Sequence, residues 1–595
     1  MRLLRQLNSL FNRRERWQLL VLSVALVIRA GVELVGVASI MPFMSVVAEP
    51  ELIQTNPYLR EAYERLGFTS EIAFITTLGV AVVAFLILAN AFSALAVYGM
   101  TRFSWGMHHK LAMRLLKGYL RMPYSFFVER NSASFNKTLL NECQEVIRGV
   151  LEPLLNAGAK VLVTAAIVGL LVVTDPMLAI IVVLVVGGSY GLLYIAVKKR
   201  QRHLGKVRVA ANHERFKVTG EAFGGIKDVK VLQRENAFVE RFRPASLQFS
   251  RAMASNSLIA KIPRYFFEAV AFGGIVLIVI YYLNAGKGIS QILPILSLYA
   301  FAGYRLMPEL QQLFQAAAQI RFNRAALDDL TRDLATVEAQ PVVQVSSGVL
   351  PFKRAIEFDD VTFAYSGSAR RALSGVSLRI ERNKTIGLVG ASGSGKTTLV
   401  DLLLGLYEPD HGRILVDGVP LDGTTIGAWL RQVGYVPQHI FLTDDTIAAN
   451  IAFGVRPEEV DLERVERAAS IAHLHDFVVS LPQGYHTVVG ERGVRLSGGQ
   501  RQRIGIARAL YHDPEVLVMD EATSALDGAT EKAVMEAIHA LSGSKTIILI
   551  AHRLTTVQQS DMIWILRGGK VEQSGTYDGL IQENSLFRAF AGISE

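Results

Sequence analysis

Nine residues, GASGSGKTT at Gly390 to Thr398, combine the residue types and spacing that hold a phosphate chain. They fit G-x-x-x-x-G-K-[ST] and lie between the apolar run TIGLV and the helix-like LVDLLLGLY. Glycines at Gly390, Gly393 and Gly395 let backbone N–H groups curl around phosphate oxygens, which the following helix N-terminus also attracts. Ser392, Ser394 and Thr398 complete the expected phosphate-binding set, Lys396 reaches the outer phosphates, and Thr397 offers its hydroxyl to Mg²⁺. A second apolar run, EVLVMDE, ends in two adjacent acids. Asp520 at its end suits Mg²⁺ coordination, and Glu521 can polarise an attacking water, so the pair points to phosphoryl transfer.

The elements that position these groups occupy only half of the chain. It has 595 residues, 51% of them hydrophobic, with a mean hydropathy of +0.30, which is too apolar for an ordinary soluble protein. Apolar runs near bilayer length recur in the first half and are absent from the second. Six spans are expected, at Trp17–Val47, Ile72–Met100, Val150–Val173, Met177–Val197, Ile259–Leu283 and Ile289–Leu310. The net charge of +9 raises nucleic acid as a partner, but the basic excess flanks the spans, as in MRLLRQLNSLFNRRERW and KKRQRHLGKVR. Positive-inside placement accounts for both, so no nucleic acid is expected and both termini are expected in the cytoplasm. A single cysteine, Cys143, excludes an intrachain disulfide, and the first apolar stretch lacks a cleavable signal pattern.

Between the first two spans, NPYLREAYERLGF places Tyr58, Leu59, Ala62, Tyr63 and Leu66 on one helical face, with Pro57 in the first turn. Such a helix either lies in the outer membrane interface or caps the two spans. Residues 1–320 are therefore expected to form the membrane domain, 321–354 a linker, and 355–595 a domain of short strands, turns and helices.

Over nearly its whole length the chain resembles an ABC exporter half-transporter. LSGGQ, at Leu496 to Gln500, is similar to the family signature, and GERG, at Gly490 to Gly493, to the element preceding it. The resemblance implies a six-span helical membrane bundle followed by an α/β ATPase domain. It implies ATP held between two such domains, with Ser497, Gly498, Gly499 and Gln500 of one subunit meeting the nucleotide of the other. It also implies a Q-loop glutamine at Gln438 that meets Mg²⁺, a D-loop ending at Asp527, a switch histidine at His552, and an adenine-stacking ring at Tyr365. No catalytic position is degraded, which favours a homodimer. Exporters often carry Glu where Val488 stands. RMPYSFFVERNSASFNK and GEAFGGIKDVKVLQREN resemble the family's coupling regions.

Three spans carry an arginine with a glutamate four residues on: Arg29 and Glu33, Arg264 and Glu268, Arg305 and Glu309. That spacing puts each pair on one helix face. Charges at bilayer depth usually face a bundle interior or a water-filled path. They are either ion pairs that fix packing or the lining of a cavity suited to phosphate or pyrophosphate. The membrane half also resembles bacterial lipid-linked oligosaccharide flippases, which implies an anionic isoprenoid-pyrophosphate glycan as cargo. The expected protein is thus an ATP-driven, dimeric, multi-pass exporter of the bacterial inner membrane. Another lipid, a drug or a peptide is the alternative cargo, and an ATP-gated channel or regulator the alternative class.

Overall fold

The computed structural model describes all residues except 1, 40–42, 44, 45, 48, 49, 175, 178, 179, 181, 182, 285–288, 341–347, 524, 552 and 591–595. The chain divides into two compact units, Met1–Met122 with Phe126–Gln340, and Pro123–Ser125 with Pro341–Glu595.

The first unit is helical. Helices Arg13–Ala38, Glu71–Leu120, Glu152–Thr174, Gly188–Gly224, Pro263–Asn284 and Ile289–Phe322 each overlap one of the six expected spans. Among the described residues, Glu71–Leu120 and Ser132–Gly169 are long and apolar enough to cross a membrane. The 50-residue Glu71–Leu120 helix is about 75 Å long at 1.5 Å per residue, against a hydrocarbon core of about 30 Å. It therefore continues well beyond the bilayer. That extension builds its own core, where Leu7, Leu10 and Phe11 pack with Met107, Leu111 and Leu115. Polar ties cross it as well: Tyr119 Oη donates to Asp333 at 2.8 Å, and Arg208 Nη2 donates to Glu142 at 2.8 Å with both side chains fully buried.

The expected linker starts too early in the sequence reading. Residues Arg324–Ala339 form a helix whose Ala326, Leu327, Leu330, Leu334 and Val337 are buried in that same core. Their spacing of three and four residues makes one apolar stripe, and burying each leucine contributes roughly 1.5–3 kcal/mol. The polar residues that suggested a linker occupy the helix's other face.

The helix expected between the first two spans forms at Pro57–Arg65, capped by Asn56 Oδ1, which accepts from the Tyr58 and Leu59 N–H groups. Its apolar face divides. Leu59, Ala62 and Tyr63 pack on Val46, Ile53 and Phe74, whereas Tyr58 and Leu66 are exposed.

The second unit holds two sheets. One is antiparallel, ordered β2-β1-β4-β5, with β1 at Ala355–Phe363, β2 at Leu373–Glu381, β4 at His411–Val416 and β5 at Val419–Pro420. The other runs β10-β9-β3-β8-β7-β6. Here β3 (Thr385–Val389), β6 (Val433–Val436), β7 (Val516–Asp520), β8 (Thr546–Ile550) and β9 (Met562–Arg567) are parallel, and β10 (Lys570–Gly575) closes the edge antiparallel. Every residue of β3, β7 and β8 is buried, as expected of a parallel sheet covered on both faces. Ligand groups collect at the carboxyl ends of such strands, where the phosphate loop and Asp520 lie.

Candidate functional site

The loop after β3 turns as its glycines allow. Gly390 has φ 155°, and a Cβ there would sit 2.3 Å from the Leu566 carbonyl oxygen. Gly395, at φ 109°, caps the Lys396–Leu403 helix, and a Cβ would meet the Ala372 carbonyl oxygen at 2.8 Å. Both positions require glycine. Lys396 lies across the loop, its Nζ donating to the carbonyls of Gly390 at 2.7 Å and Ala391 at 3.1 Å. Burial lowers its pKa, while Glu521 and Asp520 oppose that shift. Ser394 Oγ is buried without a hydrogen-bond partner among the described residues, an orphan group that a phosphate oxygen would satisfy. Ser392 is exposed on the loop, and Thr397 is exposed in the first turn of the Lys396–Leu403 helix. Thr398 Oγ1 and Tyr365 Oη are 2.9 Å apart, which ties the half-buried ring to this helix, edge-on to Tyr407.

Strand β7 delivers Asp520, which is 4% exposed, and the chain then turns left-handed at Glu521, with φ 49°. That turn lifts the Glu521 side chain off the sheet, while its N–H still bonds the Ile550 carbonyl at 3.1 Å. Gln438, just past β6, donates from Nε2 to Glu521 Oε2 at 2.7 Å. The structure thus brings Gln438 and Glu521, two of the expected catalytic residues, into contact. The third, His552, lies outside the described residues.

One acid escaped the sequence reading. Asp401 lies four residues beyond Thr397 on the same helix, and burial, with the charge of Asp520, pushes its carboxyl up to about 6. Its i+4 spacing was the available signal. Thr397, Asp520 and Gln438 offer hydroxyl, carboxylate and amide oxygens, the hard donors that Mg²⁺ takes, so the residues present fit that ion.

The signature segment starts a helix, Gly498–Leu510. Ser497 is its N-cap, with Oγ accepting from the Gln500 N–H at 3.2 Å and Gln500 Oε1 accepting from the Ser497 N–H at 2.8 Å. This reciprocal capping box engages both side chains. Gly498 and Gly499 approach Ala525, which a Cβ on either would meet at 3.4 Å. Asp527 caps the next helix, Gly528–His539, by accepting from the Thr530 N–H at 3.0 Å. Gln502 joins the two regions and was also missed. Its Nε2 donates to the Glu521 carbonyl at 3.1 Å, and its Oε1 accepts from the Ala525 N–H at 2.9 Å. The signal was a glutamine on the face that buries Gly505, Ile506 and Ala509, where a polar group requires partners.

In the membrane unit the charged pairs part company. Arg264 and Glu268 pair at 2.5 Å and are exposed at the side chain to 56% and 37%. Glu309 is buried and accepts from Lys160 Nζ at 2.9 Å. Lys160, in NAGAKVLVTAAIVGLL of the third span, was a third miss, although a lysine inside a span is itself a signal. Arg29 is half-buried, with its Nε lacking a partner among the described residues. Side chains of Glu33 and Arg305 lie outside the described set, although both positions are helical.

Comparison with known proteins agrees with this division. A family model described as ABC transporter matches residues 373–524, and one described as ABC transporter transmembrane region matches residues 34–283. An ATP-dependent lipid A-core flippase of Cupriavidus metallidurans is 33% identical over 501 residues, which is 82% of each chain. One of the same name from Vibrio vulnificus is 31% identical over 88% of this chain and 89% of its own. A bacterial Atm1-family ABC exporter, solved with ATP bound, superposes with a TM-score of 0.75 over 98% of both chains at 24% identity, which shows a shared fold. The chain belongs to the ABC transporter family, as an exporter-type member that joins a helical transmembrane domain to an ATPase domain and couples ATP hydrolysis to transport.

Proposed function

We propose that two copies of this chain form an ATP-driven flippase for a phosphorylated, lipid-anchored glycan in the bacterial inner membrane, with both termini cytoplasmic. The observation that carries the reading is similarity over 82% of each chain to a relative whose name states a lipid A-core cargo. Basic side chains at bilayer depth support an anionic cargo. Arg29 keeps a guanidinium nitrogen with no partner among the described residues, and Arg305 stands one helical turn before the buried Glu309. Arg29, Arg264 and Arg305 are the proposed phosphate or pyrophosphate contacts, with Glu33, Glu268 and Glu309 balancing their charge.

Dimerisation supplies what one nucleotide site lacks. Ser497 is exposed at the N-terminus of a 13-residue helix, an end that favours phosphate. The partner's Lys396 loop is the proposed occupant's other support, with Tyr365 against the adenine. ATP draws Lys396 Nζ from the loop carbonyls to its phosphates, and the Ser394 hydroxyl gains an acceptor. Gln438 holds Glu521, and Glu521 orients the attacking water and takes its proton. Mg²⁺, when held by Thr397, Asp520 and the Gln438 amide oxygen, neutralises charge on the phosphates. His552 is the proposed γ-phosphate contact, and Asp527 faces the partner.

The test is ATP-dependent translocation in sealed proteoliposomes, with two probes: an isoprenoid-pyrophosphate oligosaccharide and an acylated, phosphorylated lipid A-core. Movement of either supports a phosphorylated glycolipid cargo and tells which anchor is accepted. Arg305→Ala is expected to abolish it while basal ATP hydrolysis continues. Movement of neither, by protein that hydrolyses ATP, would overturn the cargo.

A further inference from the structure

Beyond the cargo path, the first two spans leave a gap. Helices Arg13–Ala38 and Glu71–Leu120 pack together, yet a cavity of ≈ 450 Å³ opens between them, over Trp17 to Ala25 on one and Gly99 to Lys110 on the other. Two glycines create it. A Cβ on Gly106 would meet nothing within 4 Å, and one on Gly99 would touch only Leu22, at 3.9 Å. Val21, Leu22, Ala25 and Phe103 make the inner stretch apolar.

The position along the membrane normal follows from the neighbours. The cavity sits where the first two expected spans end, beside Met107, against which the amphipathic Arg2–Leu10 helix buries Leu7 and Leu10. Arg13, Arg14 and Arg16 are exposed just before it, and Trp17, 69% exposed, forms its rim. A tryptophan beside a basic cluster marks the headgroup level of a bilayer.

Charge selects the occupant. Lys110, at the outer end, is already paired with Glu15 at 3.2 Å. Arg102 has no carboxylate partner among the described residues; its Nη1 donates to Tyr98 Oη at 3.2 Å, which steadies the guanidinium and leaves its other donors unspent. An apolar slot with a fixed, uncompensated guanidinium at headgroup depth matches an acyl chain joined to a phosphate. We propose that this groove binds one anionic glycerophospholipid of the basic-side leaflet, its upper acyl segment between the two helices and its phosphate on Arg102. The lipid is a fixed companion of these spans, distinct from the transported molecule.

Tryptophan quenching tests this in the full-length protein. Proteoliposomes would contain phosphatidylglycerol or phosphatidylcholine brominated on the upper acyl chain, each titrated over the same range of mole fractions in an unbrominated background. The Trp17 contribution is isolated by subtracting Trp17→Phe. Brominated phosphatidylglycerol is expected to quench Trp17 half-maximally at about fivefold lower mole fraction than brominated phosphatidylcholine, as one basic residue near an anionic surface provides. Arg102→Gln should erase that difference, and Gly106→Phe, which fills the open space, should reduce quenching by both lipids. Both variants should keep basal ATP hydrolysis, which shows that they fold. Equal quenching by the two lipids, or a preference that survives Arg102→Gln, would overturn the site. Loss of the preference on adding inorganic phosphate would also overturn it, because the site would then hold a free anion.

Discussion

Gln438 Nε2 donates a 2.7 Å hydrogen bond to Glu521 Oε2, linking a residue two positions past β6 to the residue after β7. The bond fixes the carboxylate at the strand ends beside the phosphate loop, and Gln502 holds the Glu521 backbone from the other side. A general base needs this fixing, because proton transfer depends on orientation before it depends on pKa.

Removing the base should therefore stop chemistry and leave binding. Glu521→Gln is expected to lower kcat for ATP hydrolysis by about 10²- to 10⁴-fold while ATP still binds, measured by phosphate release and nucleotide binding. Gln438→Ala, which frees the carboxylate without deleting it, should cost about tenfold, less than the base itself contributes. Wild-type rates in Glu521→Gln would remove this residue from the reaction.

The Arg208–Glu142 pair is buried to 1% and 0% side-chain exposure, and Arg208 Nε and Glu142 Oε1 both lack hydrogen bonds among the described residues. Deleting one partner of such a pair leaves a buried charge, which costs roughly 3–5 kcal/mol, whereas replacing both is much milder. Arg208→Met and Glu142→Leu should each lower the apparent Tm in detergent, and the double variant should recover at least half of the loss. Additive losses would mean the pair is not coupled.

Asp417 fastens the start of the ATPase unit by accepting from the N–H groups of Lys353 at 2.5 Å, Arg354 at 2.8 Å and Ala355 at 2.9 Å. Burial opposes its ionisation, but the three N–H groups outweigh that and hold its carboxyl below the usual range. A depressed carboxyl stabilises the fold fully above the unfolded value near 3.9 and loses that contribution as pH falls through the folded value. Asp417→Ala should cost about 1–2 kcal/mol at pH 7. Asp417→Asn should flatten the decline in stability below about pH 4, measured by denaturant unfolding at several pH values. An unchanged acid limb would refute the clamp.

Cys143 is fully buried, and burial, with Glu142 and Asp333 adding, pushes its thiol up to about 12. The neutral thiol is the folded form at pH 8, so maleimide should fail to label the folded protein and should label it fully after denaturation. An unfolded thiol ionises near 8.5, so stability should fall as pH rises above that value toward 12. Rapid labelling of folded protein at pH 8 would contradict the burial.

Much of this architecture was legible because its signals are local. The phosphate loop needs glycine at Gly390 and Gly395 whatever the fold around it, and the strand that leads into it is a continuous apolar run. The helix Arg324–Ala339 was less legible, because its stripe of Leu327, Leu330 and Leu334 is diluted by Asp328, Asp329, Arg332 and Asp333 on the other face. Asp333 is itself spent on Tyr119, more than 200 positions away. Pair spacing within one helix suggested partners for the intramembrane charges, and it holds for Arg264 and Glu268. For Glu309 a non-local partner appears, since Lys160 reaches it from another helix. Such contacts depend on which helix faces pack together, which no single segment encodes.

The most direct test is the initial rate of phosphorylated glycolipid translocation in sealed proteoliposomes, taken with phosphate release for wild-type and Glu521→Gln protein. The account predicts translocation by the wild type that requires ATP, and loss of both rates together in Glu521→Gln with ATP still bound. Translocation that persists at the wild-type rate in Glu521→Gln would contradict the claim that hydrolysis at this site drives transport.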